Sequence, residues 1–386
     1  MPTFNSRVLL LTAGAFFATS GCGGNTAVPT GTAPQVSTRG ASSVVTTDTT
    51  SILKKLTKDV EIGSTVDRTN GDTGPRAISL VKGTFGLKKG QMLVCNFDDS
   101  AGTVGKGTTI EVLNPEPKSK PATFTQSTKV EGCDGNAVTA GNQVYGAGLV
   151  SGLVSQFDQT GAFKKTYRSS IQAPFADADA FCGEAYAPED IYVGDSATGS
   201  VIKVAFLPVS RSGHARVTQV ITGFGINKGS GWSTLGPSGI QYNSTRTGNL
   251  CNDTLYIVDG ADDTIVAVSN ASNLQLKNEI VVQPGGKKFK CAQPKQTCAT
   301  LVYSGSPLDA PVASALLPNG NLIVANTRGG NTLVELTPTG KILDTKVIDT
   351  SATAHIFGLQ ATGTSDSDTA LFYTDTGTNT LQELEQ

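Results

Sequence analysis

The chain has 386 residues with 44 glycines and 17 prolines, and charged residues make up only 16% of it. This composition excludes a helical bundle or coiled coil, which would be rich in Glu, Lys, Ala and Leu. A formal net charge of −2 removes the electrostatic basis for nucleic-acid binding, and an apolar content of 38% argues against disorder throughout the chain. A turn-rich, all-β protein remains.

Residues 1–22 have the pattern of an export signal. Arg7 precedes an apolar run, Val8–Ala18, that is too short to cross a bilayer as a permanent helix. The small residues Ser20-Gly21 before Cys22 resemble the lipobox of bacterial lipoproteins, which implies lipidation of Cys22 after cleavage. The alternative is an ordinary secretory signal in which Cys22 has no role.

Residues 23–50 form a Thr/Ser/Gly/Pro stretch typical of a solvated tether, which leaves residues 51–386 for the folded domain. The lipobox resemblance predicts an exported protein of the cell envelope that contacts the membrane only through its lipid. In a Gram-negative source, Gly23 after the cysteine resembles the pattern for the outer membrane, with the protein facing the periplasm.

Six cysteines remain besides Cys22, and an even number in an exported chain predicts disulfides. They are Cys95, Cys133, Cys182, Cys251, Cys291 and Cys298. Metal binding is the alternative, but no pair has the C-x-x-C spacing.

One pattern recurs six times: an apolar β-rich run, a closing residue that is usually polar, a short Gly/Asn/Thr turn and a second β-rich run. The closing residues of the first runs are Asn96, Gly148, Asp195, Asp259, Asn326 and Asp375. A repeat of roughly fifty residues is too long for a hairpin alone and fits a four-stranded unit.

An apolar run precedes the hairpins and a polar strand follows them, which predicts an all-β fold: a six-bladed β-propeller of four-stranded blades. The chain ends in the third strand of the sixth blade, so the segment Ile52–Gly63 is predicted to close the ring as its outer strand. The alternative is an open solenoid or β-helix, whose repeat would be shorter and more regular.

The run Gly236-Pro-Ser-Gly-Ile240, followed by the strand that ends at Asp259, resembles the NHL repeat. Gly320–Lys341 resembles the second half of one, and the likeness extends loosely over residues 75–386. Blades one to three lack a clean G-P-x-G. The resemblance implies a six-bladed NHL-type propeller and no reaction, because such folds include ligand platforms, protein-binding discs, lactonases and lyases.

The propeller suggests how the cysteines pair. The expected bridges are Cys291 with Cys298 inside one insertion, Cys182 with Cys251 between blades three and four, and Cys95 with Cys133 between blade one and its connection to blade two.

Loops converge on one face of a propeller around the channel, and the closing residues of five hairpins lie on that face as candidate ligands: Asn96, Asp195, Asp259, Asn326 and Asp375. Asp195, Asp259 and Asp375 are the candidates for a metal, namely Ca²⁺, which takes oxygen ligands. The alternative is that these side chains cap turns by accepting hydrogen bonds from the backbone N–H two residues on. If the side chains cap turns, no cofactor is expected.

Three further residues are candidates on this face. His355 enters blade six and is the candidate general base, although no nucleophile elbow accompanies it; loop packing is its alternative. Trp232, the only tryptophan, either stacks on a flat ligand or fills the gap between two blades. Arg328 lies in a turn, where it offers an anion contact or is simply solvated.

Two functions are compatible with these residues. The first is a lipid-anchored binding module or interaction scaffold, which uses its channel face for a protein, glycan or small-molecule partner. The alternative is an envelope hydrolase or lyase of the lactonase kind with a metal at the channel. Two histidines in the whole chain, and no Glu at the strand ends, favour the binding module.

Overall fold

The computed structural model describes residues 49–169, 171–172, 174–180, 190–206, 215–227, 235–247 and 250–386. These residues form 26 β-strands and two short 3₁₀ turns, Thr128–Val130 and Ala271–Asn273. Within these ranges, no helix has the length and apolar character needed to cross a membrane.

The strands form six antiparallel sheets, which are the blades. Blade one consists of β2 (Thr73–Leu80), β3 (Met92–Asp98), β4 (Thr109–Leu113) and β5 (Ala122–Gln126). Blade two consists of β6 (Cys133–Val138), β7 (Val144–Gly148), β8 (Leu153–Phe157) and β9 (Phe163–Tyr167). Blade three consists of β10 (Pro174–Ala180), β11 (Asp190–Asp195), β12 (Ser200–Phe206) and β13 (Ala215–Thr222).

The remaining blades repeat this order. Blade four consists of β14 (Pro237–Thr247), β15 (Leu250–Asp259), β16 (Thr264–Ser269) and β19 (Cys298–Ser304). Blade five consists of β20 (Pro311–Leu316), β21 (Leu322–Asn326), β22 (Thr332–Leu336) and β23 (Ile342–Val347). Blade six consists of β24 (Ile356–Thr362), β25 (Ala370–Asp375), β26 (Thr380–Glu385) and the N-terminal strand β1 (Lys58–Ser64). The prediction of six four-stranded blades is confirmed.

The first strand of each blade lies against the first strand of the next. The contacts run from β2 through β6, β10, β14, β20 and β24 and return to β2, so these six inner strands surround a central channel. Apolar side chains of consecutive blades pack between the sheets, and β21, for example, is buried along its whole length because blades cover both of its faces.

The N-terminal strand closes the ring as predicted. β1 pairs antiparallel with β26, from Lys58 opposite Glu385 to Ser64 opposite Thr380. The pairing removes the open sheet edge that β26 would otherwise expose. The strand itself begins only at Lys58, later than the predicted segment, because the residues before it form a turn.

That turn is anchored on blade five by a buried carboxylate, which we call the N-terminal latch (residues 51–56 with Glu335). Glu335 accepts hydrogen bonds from the backbone N–H of Leu53 at 2.8 Å and of Ile52 at 3.2 Å, and from Ser51 Oγ at 2.8 Å. Ile52, Leu53 and Leu56 are fully buried. The latch therefore combines a hydrogen-bonded, buried carboxylate with three buried apolar side chains.

An insertion between β16 and β19 extends blade three. It contains β17 (Ile280–Val282), which pairs parallel with β13, and β18 (Phe289–Cys291), which pairs with β17. The sheet of blade three thereby gains two strands from the chain of blade four, which the sequence did not predict.

Two of the predicted disulfides are confirmed. Cys291–Cys298 closes the insertion, and Cys95–Cys133 joins β3 of blade one to β6 of blade two with both cysteines fully buried. Cys182 and the side chain of Cys251 lie outside the described residues, so their predicted bridge stays a prediction.

Candidate functional site

The six strand-closing positions are structurally equivalent, as the repeat predicted. Each is opposite the start of its inner strand: Asn96 opposite Pro75, Gly148 opposite Cys133, Asp195 opposite Pro174, Asp259 opposite Pro237, Asn326 opposite Pro311 and Asp375 opposite Ile356. Directly after this pair, every inner strand carries one extra residue, a β-bulge. The bulges mark the same level of the channel in all six blades.

The three aspartates at these positions cap the turn that follows. Their carboxylates accept the backbone N–H two residues on: Ala197 N to Asp195 at 3.1 Å, Ala261 N to Asp259 at 3.0 Å and Gly377 N to Asp375 at 2.7 Å. Asp195 also accepts the N–H of Gln172 at 2.6 Å. This is the turn-capping geometry that the sequence analysis kept as the alternative to ligand contact.

The two asparagines hold the incoming chain instead. Asn96 Nδ2 donates to the carbonyl of Thr65 at 2.8 Å, and Asn326 Nδ2 donates to the carbonyl of Pro307 at 2.8 Å. Each amide thus fixes the connection that enters its own blade. At Gly148 a Cβ atom would lie 2.3 Å from Ser151 Oγ and 3.0 Å from the carbonyl of Glu131, so close chain approach explains the glycine there.

The metal site at Asp195, Asp259 and Asp375 stays a prediction. No three His, Cys, Asp or Glu side chains in this part of the chain converge on a point that would hold a metal ion. Asp195 and Asp259 are fully buried, and burial raises the pKa of Asp259 to about 7. Asp259 Oδ2 has no hydrogen-bond partner among the described residues, whereas Oδ1 accepts the turn N–H of Ala261.

His355 lies directly before β24, as predicted, and its ring faces a carboxylate. Its Nδ1 is 3.3 Å from Asp349 Oδ2, and its backbone N–H donates to Asn331 Oδ1 at 2.7 Å. Asn331, which is buried, also donates to Asp349 Oδ1 at 2.8 Å. One buried amide therefore orients both members of a His–Asp pair.

The other two candidates contribute less to a site. Arg328 is exposed in the turn between β21 and β22, and its backbone N–H donates to the carbonyl of Asp309 at 3.2 Å. Trp232 lies outside the described residues. The roles predicted for these two side chains stay predictions.

The channel holds two adjoining cavities. The upper one, near the bulges, has a volume of about 60 Å³, and the lower one has about 210 Å³. Ile78, Asn136, Ile240, Gln241 and Leu359 line both, so the two cavities adjoin along the inner strands.

An ion pair lies at the bulge level of this channel. Arg76, Asp134 and Phe357 each follow the paired residue that starts the inner strand, in three consecutive blades (one, two and six). The Arg76 guanidinium lies 3.6 Å from the Phe97 ring centre and 4.4 Å from that of Phe357. Its Nη1 reaches Asp134 at 3.5 Å, and the two side chains are 12% and 1% exposed.

This ion pair is poorly satisfied for buried groups. Its contacts of 3.5 Å are longer than the usual 2.7–3.2 Å of a hydrogen bond, as a general range. Burial raises the pKa of Asp134 to about 6, although the charge of Arg76 acts in the opposite direction. Asp134 lines the upper cavity directly, so its remaining acceptor capacity faces the channel.

Two neutral side chains add to the polar lining of the upper cavity. Ser314 is almost fully buried, and no described residue forms a hydrogen bond with its Oγ. Gln241 donates from Nε2 to the carbonyl of Ser314 at 2.6 Å. The channel wall therefore presents unsatisfied polar groups next to the ring of Phe357.

Arg76, Asp134 and Asp349 are residues that the sequence reasoning missed. Arg76 and Asp134 are 58 positions apart, and neither belongs to a motif. The usable signal was the repeat itself: both come one residue after equivalent inner-strand starts, so aligning the blades would have placed them side by side.

Comparison with known proteins supports the fold alone. No protein-family model and no curated protein sequence matches the chain. Among solved structures, a gluconolactonase from Xanthomonas campestris has 12% identity and a TM-score of 0.50, with 81% of this chain and 85% of that chain covered. A catalytically inactive virginiamycin B lyase from Staphylococcus aureus with quinupristin has 16% identity and a TM-score of 0.49, with 85% of each chain covered. At such identities the likeness carries no activity over.

Proposed function

We propose that the protein is a binding module that takes up a small ligand in the central channel. The observation that carries this proposal is that two buried, under-bonded polar side chains line the same cavity: Asp134, which Arg76 reaches only at 3.5 Å, and Ser314, whose Oγ has no hydrogen-bond partner among the described residues. A concave site with a few convergent polar groups and a shifted pKa is the usual signature of ligand binding.

The experiment is a thermal-shift screen of the purified full chain against a small-molecule library, followed by titration of the hits. We expect hits that raise the melting temperature of the wild type and lose most of that effect in Asp134→Asn. Binding without turnover supports the module, and a screen without any hit would contradict it.

A lactonase-like hydrolase is the second candidate, and the His355–Asp349 pair favours it. A carboxylate on Nδ1 orients an imidazole so that Nε2 can act as a general base. Turnover of aliphatic or aromatic lactones that His355→Ala abolishes, while the variant keeps its melting temperature, would establish this function in place of the first.

We also propose that Cys22 carries a lipid that anchors the module to the cell envelope. The support is the export signal and the Ser20-Gly21-Cys22 sequence. Metabolic labelling with an alkyne fatty acid should label the wild type and not Cys22→Ala; equal labelling of both would contradict the anchor.

A further inference from the structure

We propose that the channel ligand is a neutral, polyhydroxylated molecule whose hydroxyl groups bond to Asp134, Ser314 and Gln241 and whose apolar side packs on Phe357. This inference rests on the proposed function and names the chemical class of its ligand.

The need for hydrogen bonds comes from the cavity wall. Ser314 Oγ is buried without a partner, although such hydroxyl groups are nearly always bonded in folded proteins. Gln241 uses its amide nitrogen on the carbonyl of Ser314, and no donor from the described residues reaches its side-chain oxygen. The wall therefore offers a hydroxyl and an amide oxygen to an occupant.

The ion pair at the upper cavity favours a neutral occupant. Asp134 lines this cavity and is paired with the buried Arg76. An anion would be repelled by the Asp134 carboxylate, and a cation would compete with Arg76 for it. A neutral ligand that donates a hydrogen bond to Asp134 avoids both costs, which are large in a low-dielectric channel.

Hydroxyl groups of a ligand would supply the hydrogen-bond partners that the polar side chains of this cavity wall lack. Each hydroxyl both donates and accepts, so neighbouring hydroxyls can donate to Asp134 and to the Gln241 oxygen while exchanging a bond with Ser314. Phe357 lines the same cavity and offers an apolar ring surface to C–H groups. Asp134, Ser314 and Phe357 line the upper cavity of about 60 Å³, and Gln241 lines both this cavity and the adjoining one of about 210 Å³, so the ligand would occupy the upper cavity and extend past Gln241 into the lower one.

The test uses Ser314→Ala, with Ser238→Ala as the matched control. Removing the unpartnered Ser314 hydroxyl should leave stability unchanged or raised. Ser238 is a buried serine of the adjacent inner strand; its Oγ has partners at 3.4 and 3.5 Å, and it does not line either cavity. The probes are D-glucose, N-acetyl-D-glucosamine and myo-inositol, with succinate and putrescine as charged comparators, measured by saturation-transfer NMR and titration on the full chain.

We expect at least one polyhydroxylated probe to bind the wild type. Its Kd should rise about fivefold to tenfold in Ser314→Ala, by loss of one hydrogen bond, and more in Asp134→Asn, while Ser238→Ala leaves it unchanged. A polyhydroxylated probe whose Kd is the same in wild type, Ser314→Ala and Asp134→Asn would overturn the site.

The remaining outcomes separate this inference from the proposed function. Binding of succinate or putrescine that depends on Asp134, without binding of any polyhydroxylated probe, would overturn the ligand class and leave a channel-binding module. Absence of binding by every probe and by the whole small-molecule library would overturn both.

Discussion

The carboxyl group of Glu111 lies next to the carboxylate of Asp67 in the interior of the protein, where a protonated Glu111 can donate to Asp67. Asp67 lies in the segment that links blade six to blade one, and Glu111 is a fully buried residue of β4. Burial, and then the contact with Asp67, raise the pKa of Glu111 to about 9. Burial alone would raise the pKa of Asp67 too, but its hydrogen bonds from Glu111 and Thr123 lower it.

This pair predicts a loss of stability toward alkaline pH. Glu111 is protonated when folded and ionises near 4.5 when unfolded, so its contribution is complete below pH 4.5 and disappears as the pH rises through about 9. Glu111→Gln keeps a donor for Asp67 and should flatten the dependence of the urea midpoint between pH 5 and 9. Asp134 and Asp259 also have raised pKa values, so part of the slope should persist. Exposed Glu116→Gln is the control, and parallel slopes in all three proteins would contradict the prediction.

The two confirmed disulfides should contribute unequally. Cys95–Cys133 spans 38 positions and is buried between blades one and two, whereas Cys291–Cys298 spans 7 within one insertion. Replacing the first pair with alanine should cost roughly 2 to 4 kcal/mol of unfolding free energy, and the second pair about 1.5 kcal/mol less, on the chain-entropy account. Chemical denaturation of both double variants measures this, and equal losses would be inconsistent with it.

Glu335→Gln should release the N-terminal latch. The two carboxylate oxygens now accept the backbone N–H groups of Ile52 and Leu53, and the substitution replaces one of these oxygens with an NH₂ group. One buried N–H group then loses its acceptor, which destabilises the turn. Limited proteolysis should then cut near residues 51–57 at least tenfold faster than in the wild type. Asp344→Asn is the matched control, because Asp344 reaches the latch only through a 3.5 Å contact with Ser51 Oγ. Equal cleavage of both variants would show that the carboxylate does not hold the turn.

Calcium should leave the melting temperature unchanged. The carboxylates of Asp195, Asp259 and Asp375 accept hydrogen bonds from turn N–H groups. In the described part of the chain, no three His, Cys, Asp or Glu side chains come together in a group that could hold a metal ion. A bound ion at one hundred times its Kd would add about 2.7 kcal/mol. A calcium-dependent rise of several degrees that Asp195→Ala or Asp375→Ala removes would refute the turn-cap interpretation.

The repeat made most of the fold predictable from sequence. Strand-closing residues such as Asp259 recur at equivalent places because each blade needs the same turn, so local pattern was enough to count blades. The ring closure was predictable too, because β26 lacked a partner and β1 had the right character.

Contacts between blades were not predictable in the same way. The Arg76–Asp134 pair depends on how the neighbouring inner strands β2 and β6 pack side by side, and no local periodicity encodes that. The same holds for β17, which pairs with β13 of another blade and for which the sequence analysis made no prediction. Glu335 was also missed, because a buried glutamate in a strand is identifiable only once its four donors are in place.

The N-terminal latch also decides where mechanical load enters the molecule. Tension on the chain ahead of Ser51 reaches the Glu335 clamp and the buried Ile52–Leu56 turn before it reaches the β1–β26 pairing. The ring seam is thereby shielded, since the clamp must fail before the pairing of β1 can be peeled open. Tension applied at the N-terminal end is therefore resisted by the latch before it acts on the pairing that closes the ring.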